Sequence, residues 1–280
     1  MQSAEEPIVT ARVLRVREYT HVIESLTQVV QDIPPGALAA VMIAAFAGGL
    51  IRGFVGFGGA LVIILIASVT LGPTTAVPIA ALSGLAATLQ LLPSAVRHSE
   101  PAFALPFGIA TFLSAPVGTL VLVVVDADFM KIAISSFVLV MVAPMLVGWQ
   151  PRYQFGMRSL IAAGVGTGLV QGAAGVGGPP AVMIALARPG SPERQRANVI
   201  GAVTALALCA MAPMWWHGLF TLEVVVLSLS IVPIYSFATW LGATLFRLGH
   251  QHYFRRASAL TLVVTGIGTL AIAIRDLSTG

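Results

Sequence analysis

Arg52 is the only ionisable residue well inside an apolar run of this chain. A charge at mid-membrane depth costs at least ~2.5 kcal/mol, so a functional role is the first expectation for it. Its guanidinium has the planar fork that binds a two-oxygen anion edge bidentately. Glycines crowd around it. Residues 48–59 read GGLIRGFVGFGG, six glycines in twelve. A second cluster, GVGTGLVQGAAGVGG at 164–178, has seven in fifteen. Each glycine costs a helix ~1 kcal/mol relative to alanine, so clusters this dense disfavour continuous helix. A helix restarting after Gly58-Gly59 or Gly177-Gly178 presents free N–H groups and the positive end of its dipole, which is a general anion site. Pro179 and Pro180 suit such a first turn. The competing reading is close helix–helix packing for the glycines and snorkelling to headgroups for Arg52.

The two clusters align. Positions 51–59 match 170–178 at an offset of 119, pairing Arg52 with Gln171. Further on, 76–81 match 197–202 at an offset of 121. The chain reads as an internal duplication of about 120 residues, with four apolar segments in each half. Paired, Gly-interrupted segments at matching places in two halves point to a transporter's binding site. The candidate substrate-binding residues are therefore Arg52, Gly53, Gly56, Gly58, Gly59, Gln171, Gly172, Gly175, Gly177 and Gly178. Asn198 joins them as an amide donor in an otherwise apolar run, with a helix–helix hydrogen bond as its plainer role. Thr74, Thr75 and Ser83 are weaker candidates; Thr204 and Gln90 read as packing groups.

At these residues the chain resembles the TauE/SafE family of membrane permeases, named for sulfite export. That family repeats a four-segment unit, each opening on a stretch of the form G-x-G-G-[GP]. Here the stretches are Gly56-Phe57-Gly58-Gly59-Ala60 and Gly175-Val176-Gly177-Gly178-Pro179. The resemblance spans about 36 to 275 and departs at Ala60, where a third glycine is common. It implies a transporter of sulfite, sulfonates or related small organic anions.

The elements that must position these residues follow from composition. Of 280 residues 57% are hydrophobic and 9% charged, against roughly 25% charged in soluble domains. Eight spans of ~20 residues would use about 160, which matches the apolar count. A soluble enzyme, a nucleic-acid-binding domain and a disordered chain are excluded, and an all-α polytopic membrane protein is left. The net charge of +4 reads as membrane topology and lipid contact. Apolar runs fall at about 36–71, 75–93, 102–125, 129–149, 158–188, 197–216, 222–246 and 257–274. The expected organisation is a surface amphipathic helix or tail at 1–35, a first transmembrane repeat at 36–149, a loop at 150–157 and a second repeat at 158–280. Residues 1 to 35 carry eight charges and no signal-peptide core.

The first and fifth runs are too long for one crossing. If every run crosses once, basic residues divide seven to seven and give no orientation. If the two long runs are re-entrant hairpins, they divide nine to five, and the halves become inverted repeats with loop 150–158 cytoplasmic. No Asp or Glu lies in the middle of a run: Asp126, Asp128 and Glu223 sit at ends. Coupling through a buried carboxylate is therefore disfavoured. An inside-negative potential expels anions, worth ~2.3 kcal/mol per charge per 100 mV. The reading is export of a small sulfur-containing anion, sulfite or organosulfonate, from a bacterial cytoplasmic (inner) membrane. The alternative is proton- or sodium-coupled uptake of sulfonates or small organic acids. The single cysteine, Cys209, gives no metal site, and no cofactor, catalysis or nucleic-acid partner is expected; a homodimer is compatible. Trp149, Trp215, Trp216 and Trp240 read as membrane-interface anchors.

Introducing Gln154→Cys tests this topology. An impermeant maleimide should label it only from the cytoplasmic side, and labelling from outside would sink the hairpin arrangement.

Overall fold

Proline and aspartate open the helices where the sequence changes from polar to apolar. Ala37 and Leu38 donate to Pro34 O, and Phe103 and Ala104 donate to Glu100 O, each ahead of a first-turn proline, Pro35 or Pro101. Asp126 Oδ1 caps another helix, accepting from Asp128 N at 3.0 Å and Phe129 N at 3.2 Å. Thr221 Oγ1 does the same for Val224 N at 3.3 Å. The acids expected at run ends thus include a working cap.

The computed structural model describes residues 33–55, 58–146, 156–186 and 192–247, with Val263, 266–268, 270–275 and Ser278 beyond them. The surface helix expected at 1–35, Gly56, Trp149 and most of the loop 150–157 lie outside the described residues, apart from 33–35 and 156–157. The helices are α1 (Pro35–Val55), α2 (Gly59–Leu71), α3 (Pro73–His98), α4 (Pro101–Val124) and α5 (Ala127–Leu146). They continue as α6 (Met157–Ala174), α7 (Gly178–Leu186), α8 (Pro192–Cys209), α9 (Met211–Trp216) and α10 (Leu222–Arg247). No strand occurs among the described residues. Three of these helices, over Pro35–Gly53, Pro101–Val124 and Leu222–Gly242, are long and apolar enough to cross a membrane.

Both long runs are broken, and each break lies at the end of its glycine cluster. The first falls between Val55 and Gly59, where Gly58 has φ of 89°. The second runs from Gly175, with φ of 68°, to Gly177. Both angles are in the left-handed region that glycine alone enters without strain. The other glycines behave differently from the expectation of a generally weakened helix. Gly48, Gly49 and Gly53 lie inside α1, and Gly164, Gly166, Gly168 and Gly172 lie inside α6. As a result α1 keeps 21 residues, about 31 Å, and α2 has 13, about 20 Å. The first arm stays helical through its early glycines because they pack instead of unwinding.

That packing is backbone on backbone. A methyl placed on Gly168 would meet Thr111 O at 2.5 Å and also the Ser114 hydroxyl. One on Gly172 would meet Ala115 O and, at 2.8 Å, Thr119 N. Gly164 lies as close to Phe107 O, and Gly118 returns the contact from α4 to Leu169 O. One stripe of α6 is therefore pressed against α4. In the other half, a methyl on Gly49 would come within 2.6 Å of Tyr235 O and 2.7 Å of Ala238 Cβ on α10. Gly49 and Gly168 are 119 positions apart, the repeat offset. The pairing as a whole respects the exchange of halves: α4 packs on α6 as α10 packs on α1, and α3 packs on α10 as α8 packs on α4. Helices α3 and α8 meet each other at the centre.

The larger core gathers α1, α2, α3, α5 and α10 around Val41, Ile63, Ile79, Ile134 and Tyr235. A smaller one stacks Phe103 on Phe107, centroids 5.4 Å apart, with Leu160, Ile184 and Leu206. Leu105, Ile109, Leu113 and Val124 on α4 point outward and are exposed, as a lipid-facing surface requires. Trp215, Trp216 and Trp240 are exposed too.

Gly168→Val and Gly172→Val should each destabilise by about 1–3 kcal/mol through overpacking. Gly166, with nothing within 4 Å of a placed methyl, should accept Ala with unchanged or higher stability. Melting temperatures of the detergent-solubilised variants check both.

Candidate functional site

The two breaks converge on one cavity. Its volume is about 80 Å³, and its walls come from α1, α2, α3, α6, α7 and α8 together with the break residues. A single water needs about 10–15 Å³ of such space, so a small anion fits. Most of the wall is aliphatic, including Leu61, Ile64, Val77 and Leu206. The polar side chains on it are Arg52, Thr88 and Gln171. No Asp or Glu lines it, and no group of three or more His, Cys, Asp or Glu that could hold a metal occurs among the described residues.

Arg52 is half-buried near the C-terminal end of α1. Its Nη2 reaches Thr88 Oγ1 at 3.5 Å, a stretched bond, while Thr88 donates to Gly84 O at 2.9 Å. The start of α2 folds back against this arm: a methyl on Gly59 would meet Gly48 O, the Tyr235 hydroxyl at 2.5 Å and Arg52 Cβ at 2.9 Å. Tyr235 is buried, its hydroxyl makes no hydrogen bond of ordinary length among the described residues, and Arg52 stands close enough to act on it as a charge and as an over-long hydrogen-bond partner.

Gln171 stands at the matching place in the second half but is used differently. Its Oε1 accepts from Gly177 N at 3.0 Å, and its carbonyl accepts from Gly175 N at 2.9 Å. The glutamine pins the break from both ends. That leaves the amide Nε2 as the donor it can offer the cavity. At the start of α7, Pro179 and Pro180 carry no N–H, and Ala181 N bonds Gly177 O at 3.2 Å. Gly178 is thus the one N–H of that turn that is neither missing nor tied to Gly177 or Gln171. The two helix starts are not equivalent anion sockets.

Of the sequence candidates, Arg52, Gly58, Gln171, Gly175 and Gly178 share the cavity wall. Gly59 lies just behind it, and Gly177 is held in the Gln171 bond. Gly172 faces α4, and Gly53 is half-buried on α1 off the wall. Gly56 lies outside the described residues. Asn198 is elsewhere: its Oδ1 accepts from Glu100 N at 2.8 Å, tying α8 to the start of α4, while its buried Nδ2 has no partner among the described residues. The helix–helix bond is therefore the contact it makes. Thr88 and Tyr235 are residues the sequence reading passed over. Thr88 could have been found as the hydroxyl four residues after Gly84; Tyr235 carries no local signal, because only the fold brings α10 against α1.

These features define an integral helical membrane protein with a small cavity that carries, among the described residues, one guanidinium. The chain belongs to the sulfite exporter TauE/SafE family, whose profile matches residues 41–269. The family is one of membrane transporters for sulfite and small anions. Neither the curated proteins nor the solved structures contain a match.

Gln171→Leu removes the acceptor of a buried N–H and should destabilise by about 1–3 kcal/mol. Gln171→Glu keeps an acceptor for Gly177 N and should melt closer to wild type than the leucine variant; the reverse order would reject the latch.

Proposed function

We propose that the protein exports a small sulfur-containing anion, sulfite or an organosulfonate, across a bacterial cytoplasmic membrane by alternating access. The observation that carries this reading is the cavity itself: among the described residues its wall has one guanidinium, no carboxylate and the two chain breaks. A guanidinium offers two parallel N–H groups to two anion oxygens. Thr88 keeps it at the wall until an anion arrives, and the stretched 3.5 Å bond is weak enough to give up. Gln171 Nε2 and Gly178 N add neutral donors from the second half. The substrate class comes from the family, and the charge comes from the site.

Direction follows from electrostatics. An inside-negative potential favours outward anion movement by ~2.3 kcal/mol per charge per 100 mV, so export needs no coupling cation. Among the described residues the cavity has no carboxylate to hold one. The exchange-symmetric pairing of helices supports two related repeats, and the nine-to-five division of basic residues favours their being inverted with respect to each other. Rocking of one repeat against the other would then open the cavity alternately.

Proteoliposome flux of labelled sulfite tests the assignment. Outward flux should rise when the inside is made negative and fall at least tenfold in Arg52→Gln. Retardation by the same potential would overturn export, and dependence on a proton or sodium gradient would favour uptake.

A further inference from the structure

The two halves of the site have unequal reserves of hydrogen-bonding capacity, and the inequality centres on Tyr235. Gly49 and Gly168 occupy equivalent places in the repeat. Gly168 is closed on by Thr111 O and Gly49 by Tyr235 O, so Thr111 and Tyr235 are counterparts. The Thr111 proton is committed: it is shared between Phe107 O at 2.7 Å and Gly164 O at 3.3 Å. The Tyr235 hydroxyl is buried with no hydrogen bond of ordinary length among the described residues. Buried tyrosine hydroxyls ordinarily find one, and leaving the group unpaired is costly. A phenylalanine would fill the same space without that cost.

The unpaired oxygen also lies beside the right group. It stands against Gly59, as does Arg52 Cβ, and within electrostatic reach of the guanidinium. A guanidinium carries five N–H donors and no acceptor. When two of them turn to an anion, the others need acceptors in a low-dielectric surround. Thr88 supplies one at long range. Tyr235 Oη, on α10 rather than α3, is an acceptor with no hydrogen bond of ordinary length. Its position is fixed by the backbone contact with Gly49 and by Thr239, which donates to Tyr235 O at 2.7 Å.

We propose that Tyr235 is a positioning residue: its hydroxyl accepts from Arg52 when an anion is bound and holds the guanidinium with its fork toward the cavity. The inference rests on the reading of Arg52 as the anion-binding cation. It makes the site one-sided, with orientation and charge supplied by the first-half arm and its α10 partner, and the second half serving as a latched wall.

Tyr235→Phe tests it, with methanesulfonate as the probe and binding followed by thermal shift and calorimetry on the full chain in detergent. The ligand-free melting temperature should be unchanged or higher, because only an unpaired hydroxyl is lost. Methanesulfonate affinity should fall about tenfold, the order expected for a hydrogen bond to a charged group. Unchanged affinity overturns the positioning role. A drop in affinity together with a lower ligand-free melting temperature also overturns it, since that is what a packing role gives. Arg52→Gln separates the two levels. If Arg52→Gln binds methanesulfonate as wild type does, the anion-site reading itself fails; if it loses binding while Tyr235→Phe keeps it, only the role of Tyr235 fails.

Discussion

A polar backbone inside hydrocarbon has to be satisfied or covered, and in this protein the cover is another backbone. Non-helical chain at membrane depth survives only where it lines a cavity or is buried in protein. The breaks at Gly58 and at 175–177 are non-helical chain of this kind. They are sheltered because α1 and α6 lie so close to α10 and α4 that only glycine fits between them. The same close approach draws the broken arms inward, where their ends frame one small space. Remove the glycine contacts and the helices separate by at least a side chain, the breaks lose their shelter, and the cavity loses its walls.

Within that frame the two halves have diverged chemically. A donor at 52 cannot accept the loop N–H that Gln171 accepts at the equivalent place, so one residue type gives a charged wall and the other a fixed loop. The prolines after Gly178 go the same way: they strengthen a helix start while removing N–H groups an anion could use. Of two similar arms, one carries a free-forked cation at the cavity wall and the other a glutamine tied into its own break.

The amphipathic and apolar patterns made the membrane fold legible before any coordinates, because the bilayer permits so few backbone solutions. The duplication was legible through the 119-residue offset, and that offset survives in three dimensions at Gly49 and Gly168. What the sequence could not divide was glycine's two uses. Gly172 and Gly175 are three residues apart; one is a flat contact face inside a helix and the other a left-handed corner. Composition is the same for both, and only the neighbouring helix distinguishes them. Asn198 looked like a ligand because it is polar in an apolar run, yet a backbone amide 98 positions away accounts for its oxygen. Tyr235 was invisible for the converse reason: a tyrosine in a span is unremarkable until its hydroxyl is seen to lack a partner.

The crossed pairing of α4 with α6 and α10 with α1 bears on how the protein is made. Each half places its opening helix against the closing part of the other. During synthesis the first half therefore enters the bilayer with the groove of α1 unfilled until α10 emerges nearly two hundred residues after α1 begins. Lipid must occupy that groove in the interval and be displaced later. The contact of α1 with α10 can therefore form only late in synthesis, and much of the packing of each opening helix comes from the other half of the chain.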